Sequence, residues 1–299
     1  MIKAEAVVKT FDGFRALNGL NLWVKKGTVY GLVGPNGAGK TTIIKHLAGV
    51  YRQDFGSITI SGKPIYENTA IKEQLMSISD DLFFFGSFHA KEMARFYSGI
   101  YPHFSWERYE KIKSVFNIDE KRQISRLSKG MKKQVAFWLA ISAKPQVLIL
   151  DEPVDGLDPV MRKQVWNLVM QDVLERGMTV LVSSHNLREL EDICDDVGII
   201  HQGKMVMEKQ LDEVKGNIGK YQVAFRDPLS GNPFTHLPIL HESHIGSVYN
   251  LIIKGEPEEI TRQLMAQNPV LCERVSLSLE EVFIYELGGL GYDFSNILI

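Results

Sequence analysis

Hydrophobic and polar positions change rhythm along the chain, and each change predicts a different set of elements. Short runs rich in β-branched and aromatic residues, Ala6–Thr10, Leu20–Val24 and Val29–Val33, read as strands. A glycine-rich turn, Gly34–Gly39, follows the third run, and Thr41–Leu47 then reads as a helix. Ser57–Ile60 and Leu75–Ile78 are further short strands. From His89 to Ala143 the period lengthens. Ala90, Met93, Phe96 and Tyr97 recur at helical spacing, and Ile112, Val115 and Phe116 continue the style. Beyond Gln146, strand and helix alternate: strands at Val147–Leu150, Thr179–Ser183 and Val197–Ile200, helices at Pro159–Glu175 and Leu187–Cys194. Alternation of this kind predicts an α/β fold around a parallel sheet.

A further segment begins after Asp212. Tyr221–Phe225 and Leu251–Lys254 read as strands, Pro257–Met265 and Leu279–Tyr285 as helices. Asp227–Pro238, with three prolines and a glycine, reads as a loop. This part is expected to be a small α+β appendage.

Composition narrows the picture. The 299 residues are 44% hydrophobic and 23% charged, as in globular proteins and unlike disordered chains. A net charge of -2 offers no basic footprint for general nucleic-acid binding. The two cysteines, Cys194 and Cys272, lie far apart and read as reduced thiols. No apolar run approaches the length that crosses a bilayer, and the charged start, Met1-Ile2-Lys3-Ala4-Glu5, is unlike a signal peptide. A membrane role would therefore need a partner that crosses.

The chemistry concentrates in a few motifs. Gly34-Pro35-Asn36-Gly37-Ala38-Gly39-Lys40-Thr41 matches G-x-x-x-x-G-K-[ST] between a strand and a helix. Glycines let consecutive N–H groups turn inward around phosphates, and the helix start adds the positive end of its dipole. Lys40 can reach the β- and γ-phosphates, and Thr41 can offer its hydroxyl to Mg²⁺. Downstream, Val147-Leu148-Ile149-Leu150-Asp151-Glu152 is an apolar strand ending in two acids. Asp151 at the strand end can hold hydrated Mg²⁺, and Glu152 can act as general base toward the attacking water.

Between these motifs, Leu127-Ser128-Lys129-Gly130-Met131 resembles the LSGGQ signature of ABC ATPases, in the form associated with ABC-2-type exporters. Ser128 suits a helix N-cap, and Gly130 allows close backbone approach. Val154-Asp155-Gly156-Leu157-Asp158-Pro159 resembles the D-loop, and Ser184-His185 the switch histidine. Phe11 falls where the family stacks an aromatic on adenine. The resemblance covers residues 1–210 and implies a P-loop NTPase fold of ABC type. Its parts would be a RecA-like mixed or parallel core sheet, an N-terminal antiparallel β subdomain and a helical signature subdomain, here at 89–143. The ATPase domain is expected at 1–211 and an accessory α+β segment at 212–299.

The resemblance also implies ATP and Mg²⁺ as ligands. The nucleotide set would be Phe11, Asn36, Gly37, Ala38, Gly39, Lys40, Thr41, Thr42, Asp80, Ser128, Gly130, Met131 and Asp158. The metal set would be Thr41, Asp151 and Asp80, and the catalytic set Glu152, His185 and Lys40. Two such subunits, alike or different, sandwich ATP between one phosphate loop and the other's signature, and an ABC-2-type transmembrane permease is the expected partner. The protein would then be peripheral, at the cytoplasmic face of the membrane, with no nucleic-acid partner. Ser276-Leu277-Ser278-Leu279-Glu280-Glu281-Val282-Phe283 resembles an element near the end of ABC-2 export ATPases, and the expected export direction comes only from this subfamily resemblance, to the Ytr-type or antibiotic-export branches.

Two positions depart from the family. Asp80 stands where the Q-loop glutamine is usual, and Met131 replaces the signature glutamine, as in ABC-2-like members. Beside Asp80, Phe83, Phe84 and Phe85 lie where the family docks its membrane partner; at least one is expected in the core and at least one at the partner. His236, His241 and His244 show no metal-ligand spacing. A non-transport ABC ATPase acting on ribosomes or DNA is the alternative. Such proteins usually show two cassettes, a long coiled coil or zinc cysteines, none of which is present in the sequence. A P-loop kinase or GTPase is disfavoured by the signature and switch histidine.

Overall fold

The computed structural model describes residues 1–185, 187–211, 218–226, 234–276, 278 and 280–281. In chain order the first half contains β1 (Ile2–Phe11), β2 (Phe14–Val24), β3 (Val29–Val33), α1 (Lys40–Leu47), β4 (Phe55–Ile60), β5 (Lys63–Pro64), α2 (Thr69–Lys72) and β6 (Leu75–Ile78). Then come α3 (Ala90–Ile100), α4 (Trp106–Phe116), α5 (Lys129–Ser142), β7 (Val147–Asp151), α6 (Pro159–Arg176), β8 (Thr179–Ser184), α7 (Leu187–Glu191), β9 (Asp196–His201) and β10 (Lys204–Gln210). The last part holds β11 (Ile218–Ala224), β12 (Ile239–Ile245), β13 (Val248–Lys254), α8 (Pro257–Met265) and β14 (Leu271–Val275). The chain forms two compact units: 1–185 with 193–208, and 186–192 with 209–299.

The first unit is built on a six-stranded sheet, order β10-β9-β3-β8-β7-β6. The β6–β7, β7–β8, β8–β3 and β3–β9 pairs are all parallel. Every residue of β3, β7 and β8 is buried, which is why these strands read as unbroken apolar runs rather than alternating ones. An antiparallel sheet, order β2-β1-β4-β5, supplies the second layer. Helix α1 belongs to the core of both. Its Ile43, Ile44 and Leu47 join Leu17, Leu20 and Leu22 of β2 and Val147 and Ile149 of β7 in one buried cluster. The helix that follows the glycine turn is thereby clamped between sheets.

The helical stretch obeys the expected stops. Ser105, Ser128 and Asp158 cap α4, α5 and α6 by accepting backbone N–H bonds. Pro159 opens α6, and Gly177 ends it at φ 63°. Tyr109 and Trp138 stack at 4.4 Å, and the Trp138 indole donates to the Tyr109 carbonyl at 2.8 Å. The fully buried Asp172 of α6 accepts from Arg108 of α4 and, at 2.7 Å, from Arg176.

The second unit has an antiparallel sheet, order β12-β13-β11-β14. Tyr221, Val223, Leu251 and Ile253 pack with Ile260 and Leu264 of α8 and with Phe234. Arg188 of α7 pairs with Glu280 at 3.1 Å.

β5, α2, β10, β12 and β14 are not among the elements the sequence predicts, β1 and β2 begin at Ile2 and Phe14 rather than Ala6 and Leu20, and α7 ends at Glu191 rather than Cys194. None of Phe83, Phe84 and Phe85 is buried: Phe83 and Phe85 are exposed and Phe84 is intermediate. Phe85 instead meets Phe88 in a tilted contact and Phe96 edge to face. Cys194 and Cys272 are free thiols. Of the expected Leu279–Tyr285 helix only Glu280 and Glu281 are among the described residues, and of the Ser276–Phe283 element Ser276, Ser278, Glu280 and Glu281; the boundary at 212 lies outside them.

The Tyr109–Trp138 stack yields a stability prediction. Trp138→Ala removes a fully buried indole between α4 and α5 and should destabilise the first unit by about 3–5 kcal/mol. Urea denaturation followed by far-UV circular dichroism measures it; a midpoint equal to wild type would refute the packing role.

Candidate active site

Strand β3 ends at Val33 and α1 begins at Lys40, so the glycine turn spans the gap between sheet and helix. Its tightness follows from what surrounds it. A Cβ on Gly34 would meet the Ile200 carbonyl at 2.2 Å, and one on Gly39 would meet the Ala16 carbonyl at 2.9 Å. Gly39 also sits at φ 111°, where side chains are strained. The Ala38 N–H donates to the Pro35 carbonyl at 3.1 Å, and the Gly203 N–H to the Ala38 carbonyl at 2.9 Å. Asn36, Gly37 and Thr41 are exposed, and Thr42 is half-buried. Lys40 is buried; its ammonium donates to the carbonyls of Gly34 at 2.5 Å and Pro35 at 3.3 Å. Burial lowers the Lys40 pKa, with Glu152 and Asp151 opposing the fall.

The neighbouring strands bring the acids to this loop. In the register of β7 and β8, Asp151 lies opposite Ser183. The Ser183 hydroxyl donates to Asp151 Oδ1 at 2.6 Å and accepts from the Glu152 N–H at 3.1 Å. Glu152 adopts φ 45°, a left-handed conformation unusual for a glutamate. Its Oε1 lies 3.6 Å from Lys40 Nζ. Its Oε2 accepts from the His185 N–H at 3.3 Å and lies 2.9 Å from His185 Nδ1. Glu152, His185 and Asp155 place potential ligand atoms within 4.8 Å of one another.

Asp80, just beyond β6, engages two lysines of α5. Lys129 Nζ and Lys133 Nζ each lie 3.2 Å from its Oδ1, as charge contacts without the alignment of hydrogen bonds. Partial burial pushes this carboxyl up, but Lys129 and Lys133 outweigh it and hold the group below the usual carboxylate range. Lys133 also donates to the Glu152 carbonyl at 2.6 Å.

The remaining expected residues stand apart from this cluster. Ser128 and Asp158 serve as helix caps, Ser128 toward Met131 N at 3.2 Å and Asp158 toward Val160 N and Met161 N at 3.1 and 3.0 Å. Ser128 is exposed at the start of α5, and Met131 is half-buried. Gly130 faces the Gly156 carbonyl so closely that a Cβ would sit 2.6 Å from it. Phe11, 37% exposed, meets the Tyr51 ring edge-on at 5.5 Å, with Lys9 over its face at 5.4 Å.

A buried cation, a strand-end aspartate and a second carboxylate held by an imidazole thus converge at one edge of the parallel sheet, where open α/β sheets bind ligands. The donor chemistry fits Mg²⁺: the buried Asp151 carboxylate and the exposed Thr41 hydroxyl are hard oxygen ligands. Sequence reasoning missed Ser183 and Lys133. Ser183 lay inside a strand-like run, and Lys133 is one of three consecutive polar residues, Lys132, Lys133 and Gln134, of which only the fold shows which is buried.

Comparison with known proteins bears on the family of the chain. Residues 17–155 match the family model described as ABC transporter. The chain is 30% identical over 290 residues to the ABC transporter ATP-binding protein YtrB of Bacillus subtilis (strain 168), covering 97% of this chain and 99% of that one. It is 30% identical over 302 residues to the bacitracin transport ATP-binding protein BcrA of Bacillus licheniformis, covering 97% and 98%. Among solved structures, one titled as the ATP-binding subunit of an ABC transporter superposes with a TM-score of 0.67 at 26% identity, over 72% of this chain and 92% of the other.

The close approach of Gly130 makes a test with a definite sign. At an open helical position Gly→Ala stabilises by up to about 1 kcal/mol. Here the added methyl meets a backbone carbonyl, and Gly130→Ala should instead destabilise by about 1–3 kcal/mol. Differential scanning calorimetry decides; a raised melting temperature would show the space is open.

Proposed function

The chain belongs to the ATP-binding proteins of ABC transporters, and we propose that it hydrolyses MgATP to drive a separate ABC-2-type permease, as an exporter. The observation that carries the reading is the convergence of Lys40, Asp151, Glu152 and His185 at the ends of adjacent strands. Similarity to relatives named for bacitracin transport and linearmycin resistance supports the export direction. Among the described residues no helix is long and apolar enough to cross a membrane. A membrane-spanning partner, with this chain peripheral at the cytoplasmic face, suits that.

In the proposed reaction, water attacks the γ-phosphate in line with the departing ADP. Glu152 takes the proton from the water, and His185, bonded to Glu152 Oε2, orients that carboxylate. Lys40 offsets the charge of the β- and γ-phosphates. Thr41 and Asp151 hold Mg²⁺, which when bound neutralises phosphate charge. Asp80, drawn to two ammonium groups, is better matched to bracing its loop than to binding the metal directly. Asn36, Gly37, Ala38, Gly39 and Thr42 cradle the phosphates, and Phe11 with Tyr51 offers an aromatic wall for adenine. A second subunit, alike or different, completes the site with Ser128, Gly130 and Met131, its D-loop Asp158 lying beside them. The exposure of Ser128, Asn36 and Gly37 leaves both halves accessible to that pairing. Residues 1–211 act as the ATPase domain, with 89–143 as its helical subdomain and 212–299 as an accessory segment.

Glu152→Gln should lower steady-state ATP hydrolysis by about 10²–10⁴-fold while ATP binding persists. A coupled phosphate-release assay with equilibrium binding measures both; normal turnover would remove Glu152 from the base role. The same variant, purified from native membranes with ATP and Mg²⁺, should retain a polytopic membrane protein in stoichiometric amount. Recovery only from the soluble fraction with ribosomes or nucleic acid would favour the non-transport alternative.

A further inference from the structure

Glu152 is held from two sides by its backbone, and one of the two holders is a lysine that the proposed reaction does not use. Its N–H donates to Ser183, itself bonded to Asp151. Its carbonyl accepts from Lys133 Nζ at 2.6 Å. Lys133 comes from α5, near the start of the helix that Ser128 caps, and its side chain is 0% exposed. A buried ammonium is costly unless it is paired and hydrogen-bonded. Both conditions are met here by one carbonyl and one carboxylate, Glu152 O and Asp80 Oδ1.

The place of this contact gives it consequence. The φ of 45° at Glu152 is an uncommon and strained conformation for a glutamate, and here contacts to both flanking peptides hold it. Rotation of that peptide swings the carboxylate away from both Lys40 and His185. Ser183 fixes the peptide before Glu152, and Lys133 fixes the one after it. Asp80 in turn anchors the loop that carries Phe83 and Phe85, which stack edge to face at 5.8 Å on the surface. One ammonium therefore joins three segments: the start of α5, the end of β7 and the loop after β6.

We propose that Lys133 is a positioning residue for ATP hydrolysis, locking the backbone of Glu152 and tying it through Asp80 to the loop after β6. The role rests on the assignment of Glu152 as the general base. It asks nothing of Lys133 toward the nucleotide, since its ammonium is occupied by Glu152 O and Asp80. Removing it therefore leaves binding intact and misplaces the carboxylate during turnover.

The test is steady-state hydrolysis and equilibrium MgATP binding by the full chain carrying Lys133→Met or Lys133→Gln. Methionine matches the aliphatic stem and leaves the Glu152 carbonyl without its donor. Glutamine keeps an N–H donor that is one bond shorter and uncharged. We expect kcat to fall about 10–100-fold for Met and less for Gln, the size of loss that a small misplacement of a catalytic group produces. KM and ATP affinity should stay within about twofold, the pattern of an interaction felt only in the transition state. Wild-type kcat in Lys133→Met overturns the proposal. So does a fall of kcat, affinity and melting temperature together, which marks packing alone. Should Lys133→Met not fold, Lys133→Gln decides: lowered kcat with intact affinity supports the role, and wild-type kcat refutes it. Glu152→Gln separates the two levels. Normal turnover there removes the base assignment itself, whereas an inactive Glu152→Gln beside a fully active Lys133→Met removes only the positioning role.

Discussion

The site depends on one constraint: strands β3, β8 and β7 are adjacent and parallel, so their C-terminal ends fall along a single sheet edge. That alignment brings residues distant in the chain into contact, with Lys40 following β3, Asp151 and Glu152 ending β7, and Ser183 to His185 ending β8. The register is tight enough that Ser183, opposite Asp151, bridges the aspartate to the next residue's N–H. A slip of one residue would turn Asp151 to the other face and dissolve the cluster. The glycine turn depends on the same edge, because the Ile200 carbonyl of β9 fills the space a Gly34 side chain would need.

What the sequence made legible follows from burial. β3 was read with its observed bounds, and the β7 and β8 readings stopped one residue short, because strands covered on both faces must be apolar throughout. β12 and β14 escaped notice for the opposite reason. Both are edge strands of the second sheet, exposed along most of their length, and Ile239–Ile245 carries His241, Glu242, Ser243 and His244. A strand whose side chains meet water on both faces needs no apolar alternation. The site residues named by motif lie where their spacing suggested, in the loop, at the strand ends and at the helix caps. Their partners did not announce themselves, since hydroxyls and amines inside regular elements look alike in sequence whether they face solvent or a carboxylate. Phe83, Phe84 and Phe85 show the reverse error. Three consecutive aromatics suggested at least one core residue, yet the loop carrying them follows β6 at the sheet edge and buries none of them fully.

Electrostatics explains why the cluster tolerates so many ionisable groups at once. Lys40 and Lys133 approach Glu152 at different atoms, one at the carboxylate and one at the carbonyl, so the two cations need not compete for one acceptor. Asp151 Oδ1 accepts from the neutral hydroxyl of Ser183. Lys40, whose pKa is lowered by burial, recovers most from the arrival of a polyanion. Lys40 lies 3.6 Å from the Glu152 carboxylate and is still lowered in pKa by burial, so a polyanion beside it would favour its charged form, as the proposed metal–triphosphate ligand requires.

The aspartate at position 80 is best understood through the same accounting of charge. Losing one member of a largely desolvated ion pair commonly costs about 3–5 kcal/mol, because the other charge is left behind. Asp80 is only partly buried and is shared with the exposed Lys129, so its own loss of a partner would be softened by water. Lys133 has no such relief: with its side chain enclosed, the carbonyl of Glu152 alone would have to support a full positive charge. A neutral amide at position 80 would leave that charge without an anion. The acid at 80 and the lysine at 133 are therefore physically coupled choices, and the departure from the usual glutamine is intelligible only together with the buried ammonium it faces.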